Sequence, residues 1–338
     1  MDQQKIRFAV AGCGHIGKRH AAMIMNNAEC ELVALCDTRS KQELRIEQAD
    51  VPFYSSIGDL LTKQTDFDVL SIATPNGLHE EHALQGIRAG HHVVIEKPMA
   101  LTKNGCEKII FEALHYHKQV FCVMQNRYSP PSQWLKEVIA KGILGEIFLV
   151  QINCFWNRDD RYYKKGNWHG VKSLDGGTLY TQFSHFVDIM YWLFGDINNI
   201  RARMNDFNHK QLTEFEDSGF INFEFVNGGM GSFNFSTSVW NENLESSITI
   251  IAEKGTVKLG GQYMNQVEYC NIKDYEMPEL PPSNPPNDYG QYKGSAANHH
   301  YIFENVVDVL KGRAPITTNA LEGLKVVEII EKMYASSQ

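Results

Sequence analysis

No stretch of this chain approaches eighteen consecutive apolar residues, so no segment is patterned to span a membrane. A long basic run is missing as well. Lys and Arg number 32 against 40 Asp and Glu, for a net charge of −8, which argues against nucleic acid or an anionic membrane as partner and leaves only a local basic pocket for an anionic ligand. There is no CxxC pair. The seven cysteines (Cys13, Cys30, Cys36, Cys106, Cys122, Cys154, Cys270) are odd in number and scattered, as reduced and mostly buried thiols are. No metal site stands out either: His91-His92 and His299-His300 are adjacent pairs, which do not face one way on a helix or a strand, and none is expected. Met1 to Lys5 leads straight into a short apolar strand, without the apolar core of a signal peptide, and a cytoplasmic location is expected. No internal repeat is visible.

What is present is the composition of a folded protein: 338 residues, 43% hydrophobic and 21% charged. That length exceeds what one core usually serves, so two domains are expected. From Ile6 to about Val123, short apolar runs (Ile6 to Ala11, Glu31 to Cys36, Val69 to Ala73, His92 to Ile95, Val120 to Val123) alternate with helix-like segments, which signals βαβ units and a parallel sheet. After Asn126 the pattern changes. Ile147 to Phe155, Gly219 to Phe225, Gly231 to Ser238 and Ser247 to Ala252 read as longer strands. In the second of these Ile221, Phe223 and Phe225 alternate with Asn222 and Glu224, as in a sheet buried on one face. The run PELPPSNPP, Pro278 to Pro286, holds five of the eleven prolines and must be a surface loop. Helices are expected over Ala297 to Leu310 and Ala320 to Tyr334. The expected architecture is an α/β Rossmann domain with a doubly wound parallel sheet, residues 1–124, and an α+β domain with an open, mainly antiparallel sheet, residues 125–338.

The first strand ends in Gly12-Cys13-Gly14-His15-Ile16-Gly17 and a helical segment follows. Gly12 permits the tight turn, Gly14 lets the backbone approach a pyrophosphate, Gly17 allows close helix–strand packing, and the helix N-terminus favours negative charge. The second strand ends in Asp37, placed to accept hydrogen bonds from the adenosine ribose, or else a plain turn residue. A carboxylate there favours NAD over NADP, although Thr38 and Arg39 follow and an arginine can accommodate a 2′-phosphate. Thr74, Pro75, Asn76 and His79 follow the third strand, where they line the cofactor cleft or where Asn76 simply caps the next helix. The fourth strand ends in Glu96-Lys97-Pro98. Lys97 is either a solvated lysine or a group for proton transfer beside the nicotinamide.

The glycine turn with His20, Thr74-Pro75-Asn76 with His79, and Glu96-Lys97-Pro98 resemble, in order and spacing, the glucose-fructose oxidoreductase/inositol dehydrogenase (Gfo/Idh/MocA) family. The likeness continues through Asn126-Arg127-Tyr128, Gly142 to Ile147, and Gly176-Gly177 to His185 and Asp188, so it covers essentially the whole chain. It implies a Rossmann domain holding NAD(H) and a second domain whose sheet often forms the interface of a homodimer or homotetramer. It also implies that Lys97 and His185 are the catalytic acid/base pair, and that Glu96 and Lys97 stand beside the cofactor. If Thr178 to Phe194 is one helix, Leu179, Phe183, Phe186 and Met190 form its apolar face, while Thr181, His185 and Asp188 lie opposite.

Where many inositol and glucose dehydrogenases of the family carry Asp, four residues before the histidine, this chain has Thr181. Branches acting at C3 of nucleotide sugars lack that aspartate too, and the segment from Trp156-Asn157-Arg158 through Tyr162-Tyr163 to Trp168-His169-Gly170 is similar to their substrate loop. Its aromatic faces suit stacking on a sugar or base, or anchoring the loop; Arg127, Arg158 or Arg161 suit a carboxylate or phosphate. The resemblance thus implies oxidation of a secondary alcohol, at C3 of a nucleotide sugar such as a UDP-N-acetylglucosaminuronate, with Arg127, Tyr163, Trp168 and Thr181 beside Lys97 and His185 at the substrate. The competing expectations are a dehydrogenase of free cyclitols or aldoses, a redox-neutral reaction through a transient ketone, and a non-catalytic NAD(H)-sensing protein on the same fold.

Overall fold

The structure, a computed structural model, describes residues 4–46, 50–164 and 166–337. Met1 to Gln3 at the start of the expected first domain, Lys165 within the aromatic loop and Gln338 at the end of the expected second domain lie outside the described residues.

The chain opens as alternating strands and helices: β1 (Ile6–Ala11), α1 (His15–Asn26), β2 (Cys30–Cys36), β3 (Phe53–Tyr54), α2 (Ile57–Lys63), β4 (Val69–Ile72), α3 (His79–Arg88), β5 (His92–Ile95), α4 (Lys103–His115) and β6 (Val120–Cys122). The six strands form one parallel sheet in the order β3-β2-β1-β4-β5-β6. Phe8 to Ala11 and Val69 to Ile72 are buried throughout, which is why these segments read as unbroken apolar runs rather than alternating ones. Ser56 and Thr102 start α2 and α4 by accepting the backbone N–H groups of Asp59 and Gly105.

The chain continues through a 3-10 turn at Gln125–Tyr128, α5 (Pro130–Ala140), β7 (Ile147–Phe155), α6 (Lys172–Asp175), α7 (Thr178–Thr181), α8 (Ser184–Phe194), β8 (Ile197–Asn205), β9 (Ser218–Phe225), β10 (Met230–Ser236), β11 (Glu245–Ala252), β12 (Gly255–Gly260) and β13 (Gln266–Ile272). β7 to β13 build a seven-stranded sheet in the order β13-β12-β11-β7-β10-β9-β8. All neighbours in it are antiparallel except β7 and β10. Burial in β9 alternates strictly, with Ile221, Phe223 and Phe225 inward. A short ribbon, β14 (Pro286–Asp288) with β15 (Lys293–Ala296), and the helices α9 (His299–Leu310) and α10 (Ala320–Ala335) complete the chain. No helix among the described residues is long and apolar enough to cross a membrane.

Three expectations are revised. The proline-rich run is a loop only as far as Pro285, because Pro286 already pairs with Ala296 at the edge of the ribbon. Thr178 to Phe194 is two helices, interrupted at Gln182 and Phe183, so the single helical wheel drawn through Thr181, His185 and Asp188 does not apply. The chain also does not divide once. Contacts group the residues up to Val123 with His299–Val327, and Met124–Asn298 with the residues from Glu328 onward. In the first unit Phe303 of α9 packs edge-on against Phe8 of β1, and Thr318 Oγ1 donates to the carbonyl of Cys122 at 2.5 Å. Lys311 and Arg313 both pair with Glu29, whose pKa those two cations lower to about 2.

Candidate active site

In the first unit, β1 delivers the chain to Gly12, whose φ of +85° is a left-handed conformation that a side chain resists. A Cβ there would also stand 2.5 Å from the Ala73 carbonyl carbon, and one at Gly17 would collide with the Gly12 oxygen. A Cβ at Gly14 meets nothing nearer than an Arg39 guanidinium nitrogen at 3.9 Å. Gly14 is the N-cap of α1 and puts no side-chain cap on its first turn, and such a helix N-terminus favours an anion such as a pyrophosphate. His15 is exposed and Ile16 half-buried on that turn.

Asp37 lies at the end of β2 and closes the same turn: its carboxylate accepts the N–H of Cys13 at 2.8 Å and of Arg39 at 2.9 Å. It also receives two guanidinium bonds from Arg39, at 3.1 and 3.2 Å. Burial pushes the carboxyl up, but the guanidinium and the two N–H groups outweigh it and hold Asp37 below the usual carboxylate range. Thr38 is exposed beside it.

After β4, Thr74 Oγ1 is 2.9 Å from Nδ1 of His82, and Asn76 is buried in a one-turn 3-10 helix. The N-cap of α3 is Leu78, so Asn76 is not the cap of that helix. His79, expected beside the cofactor, is fully buried: Nδ1 is 2.7 Å from the Pro98 carbonyl and Nε2 is 2.8 Å from the Thr74 carbonyl. It ties the turn after β4 to the turn after β5, while burial pulls its pKa down.

Glu96 likewise turns inward, with 6% of its surface exposed. Its Oε1 is 3.0 Å from Nε2 of His20 on α1 and 3.5 Å from Nε2 of His299 on α9, and its Oε2 accepts the N–H of Lys97 at 3.2 Å. His20 Nδ1 in turn sits 2.9 Å from Ser71 Oγ on β4. Burial penalises the Glu96 charge, yet the two imidazoles hold it well below the usual carboxylate range. Donor atoms of His20, Glu96 and His299 all lie within 4.8 Å of one another, a grouping that the sequence, with these residues far apart, does not display. From Val93 to Ala100 every residue is buried but Lys97, which is half-exposed.

The second unit holds the remaining candidates. His185, 3% exposed on α8, has Nε2 at 3.3 Å from the side-chain nitrogen of Gln125. Arg127, offered for a substrate anion, is 2% exposed and pairs in bidentate fashion with Asp188, at 2.8 and 2.5 Å, with its guanidinium over the ring of Trp192. Thr181 donates its hydroxyl to the carbonyl of Asp175 at 3.0 Å and also bonds that residue's carboxylate, which accepts the N–H of Gly170 at 2.9 Å.

The aromatic loop is largely internal. Tyr163 packs in a cluster with Tyr162 and Phe215, and Trp156 donates to Ser246 while edge-packing on Phe183 and Phe186. Arg158 is stacked among Trp156, Tyr162 and Tyr292 and donates to Gln182 and to the carbonyls of Asn157 and Lys293. Arg161 is held by Asp159 and Asn157. These side chains anchor the loop, because their donors and faces are already used within the unit. Among the described residues of the loop, Trp168 is half-buried and stacked on His169, so it keeps part of its surface accessible. Sequence reasoning missed Gln125, Asp175 and His299 as parts of this machinery. Gln125 and Asp175 do adjoin quoted motifs, Asn126-Arg127-Tyr128 and Gly176-Gly177.

Residues 6–124 match the model of the oxidoreductase family with an NAD-binding Rossmann fold, and residues 132–258 match the Gfo/Idh/MocA C-terminal domain. The WlbA dehydrogenase of Bordetella pertussis, solved with NADH and UDP-GlcNAcA, superposes with a TM-score of 0.88 at 32% identity, over 98% of this chain and 96% of that one. The chain belongs to the Gfo/Idh/MocA oxidoreductase family. A second such structure, the WlbA dehydrogenase of Chromobacterium violaceum, also with NADH and UDP-GlcNAcA, gives a TM-score of 0.88 at 30% identity over 99% of this chain and 94% of that one. The D-glucoside 3-dehydrogenase of Escherichia coli K12 is 27% identical over 68% of this chain and 70% of its own length. As a member of this family the chain is an NAD-dependent oxidoreductase, and the open glycine turn and uncapped α1 fit that cofactor.

Proposed function

We propose that this enzyme oxidises the C3 hydroxyl of a nucleotide sugar of the UDP-N-acetylglucosaminuronate type to a ketone. The whole-chain likeness to a dehydrogenase that binds NADH and UDP-GlcNAcA carries the reading. Thr181 supports it from this chain's own residues: its hydroxyl is engaged by Asp175, and it offers His185 no carboxylate partner of the inositol-dehydrogenase kind.

The N–H groups of the first turn of α1 hold the pyrophosphate, and Asp37 receives the adenosine ribose. When bound, NAD supplies the hydride acceptor. Lys97 and His185 handle the hydroxyl proton, one taking it as the C–H bond breaks and the other stabilising the developing alkoxide. Lys97 suits this because it alone reaches solvent from an otherwise buried turn. The enzyme also works as a homo-oligomer through its seven-stranded sheet, where Phe148, Phe220, Met230 and Tyr269 leave apolar surface exposed, and light scattering after gel filtration reads its size.

The deciding experiment supplies NAD with UDP-N-acetylglucosaminuronate, with free glucosides and with inositol, and follows NADH absorbance and the product. Turnover only with the nucleotide sugar is expected. Turnover with free sugars alone overturns the substrate assignment, and product formed without net NADH points to a redox-neutral reaction. In Lys97→Ala, kcat falls by about a hundredfold or more while NADH binding persists. An unchanged kcat removes Lys97 from the chemistry.

A further inference from the structure

His20 on α1, Glu96 just after β5 and His299 at the start of α9 come from distant parts of the chain and meet inside the first unit. All three are buried, and a donor atom from each lies within 4.8 Å of the others. Nε2 of His20 is 3.0 Å from Oε1 of Glu96, and Nε2 of His299 is 3.5 Å from the same oxygen. Tetrahedral bonds of about 2.0–2.1 Å, the length from zinc to an imidazole nitrogen, set ligand atoms about 3.3 Å apart. The two separations bracket that value.

Hydrogen bonding leaves one member of the group unexplained. His299 is 2% exposed, and neither of its ring nitrogens has a hydrogen-bond partner among the described residues. A buried imidazole without partners is costly, and a bound ion is one thing that removes the cost. The other two members are held from behind. His20 Nδ1 is 2.9 Å from Ser71 Oγ on β4, and Glu96 Oε2 accepts the N–H of Lys97, which leaves Nε2 and Oε1 aimed at one another. A hydroxyl on the far ring nitrogen is the kind of support that orients a metal-bound histidine. Phe303, edge-on to His20 and to Phe8, lines the group with apolar rings. Two imidazoles with a single carboxylate suit zinc; magnesium and calcium take shells of oxygen.

We propose that His20, Glu96 and His299 bind a zinc ion that pins α9 to α1 and to the turn after β5. The ligand atoms are Nε2 of each histidine and Oε1 of Glu96. The role is structural: zinc is redox-inert, the group is enclosed, and α9 reaches the parallel sheet from far along the chain. The histidines are too far apart in sequence to show metal-ligand spacing, which is why the sequence led to the opposite expectation.

The test counts zinc in the whole enzyme and needs no substrate. The protein is produced without a histidine tag in zinc-supplemented medium, passed over chelating resin and submitted to elemental analysis. About one zinc ion per chain remains, and an enzyme that binds NADH but keeps less than about a tenth of an ion overturns the proposal. His299→Gln removes one ligand, so its retained zinc falls by about tenfold or more while NADH binding persists. Undiminished zinc in that variant places the ion elsewhere and overturns the proposal. Should His299→Gln fail to bind NADH, X-ray absorption at the zinc edge of the wild-type enzyme decides. A shell of nitrogen and oxygen at about 2.0–2.1 Å with the outer scattering of two imidazoles supports the site, and sulfur at about 2.3 Å overturns it. Pinning is read by hydrogen exchange in the zinc-stripped enzyme. Zinc chloride added so that free zinc is about ten times its dissociation constant slows exchange of the α9 amides by about tenfold, and unchanged exchange there overturns the structural role.

Discussion

Gln125 sets its side-chain nitrogen 3.3 Å from Nε2 of His185, with both side chains buried in the second unit. An amide nitrogen only donates, so the imidazole nitrogen accepts and the neutral ring carries its proton on Nδ1. That leaves a ring of defined tautomer, one able to take a proton at Nε2 only by giving up the Gln125 bond. Gln125→Leu removes the donor, and kcat falls by about tenfold with the KM for NAD unchanged. Gln125→Glu is expected to do worse, since an acceptor at Nε2 favours the doubly protonated ring and takes away its use as a base. Steady-state kinetics on the two variants decide it; equal losses would mean that the amide only fills space.

Cofactor choice is predicted to turn on Asp37 and Arg39. The guanidinium that could receive a 2′-phosphate is already bonded twice to the Asp37 carboxylate, above the Gly14 turn. Asp37→Ser takes away the ribose acceptor and releases Arg39 together, so the ratio of kcat/KM for NAD to that for NADP drops by about tenfold to a hundredfold. Arg39→Ala alone leaves NAD use near the wild-type level. An unchanged ratio in Asp37→Ser would place cofactor discrimination elsewhere.

Legibility in the sequence followed burial. β1, β4 and β5 are covered on both faces and so appear as short apolar runs, and β9, covered on one face, appears as alternation. β13 escapes because it is an edge strand with a mostly exposed pattern, Gln266 to Asn271, and β3 because two residues carry no period. The break between α7 and α8 escapes because nearly every residue there is buried, so no polar stripe marks where the helix stops. At the site, the residues of local turns were readable. Contacts that depend on distant segments were not: His79 reaching back to Pro98, Arg127 taken up by Asp188, and Glu96 meeting His299.

Arg127 and Asp188 form an ion pair in which each side chain is 1% exposed. Two ions removed from water are stable only together, so Asp188→Ala, which strands the guanidinium, is expected to destabilise the enzyme by about 3–5 kcal/mol. Replacing both, as Arg127→Met with Asp188→Leu, removes the unpaired charge and restores most of that loss. Denaturant unfolding of the single and double variants measures the difference. If the double variant is no more stable than Asp188→Ala, the pair contributes more than mutual neutralisation.

Glu216 gives the stability of the second unit a pH dependence of defined sign. Burial lifts its pKa from 4.5 to about 7, against hydrogen bonds from the Tyr334 hydroxyl at 2.6 Å and the Thr178 N–H at 3.2 Å. Because the folded value lies above the unfolded one, the folded state binds the proton more tightly. The stabilisation is complete below about pH 4.5, declines as pH rises, and is gone above about pH 7. A gap of about 2.5 units at about 1.4 kcal/mol each sets an upper scale of about 3.5 kcal/mol. Glu216→Gln keeps an acceptor for Tyr334 and Thr178 but cannot ionise, so its Tm matches the wild type near pH 4.5 and exceeds it above about pH 7. Calorimetry across that interval checks the sign: a Tm difference that stays constant from about pH 4.5 to about pH 8 would show that Glu216 ionises no differently in the folded and unfolded chain.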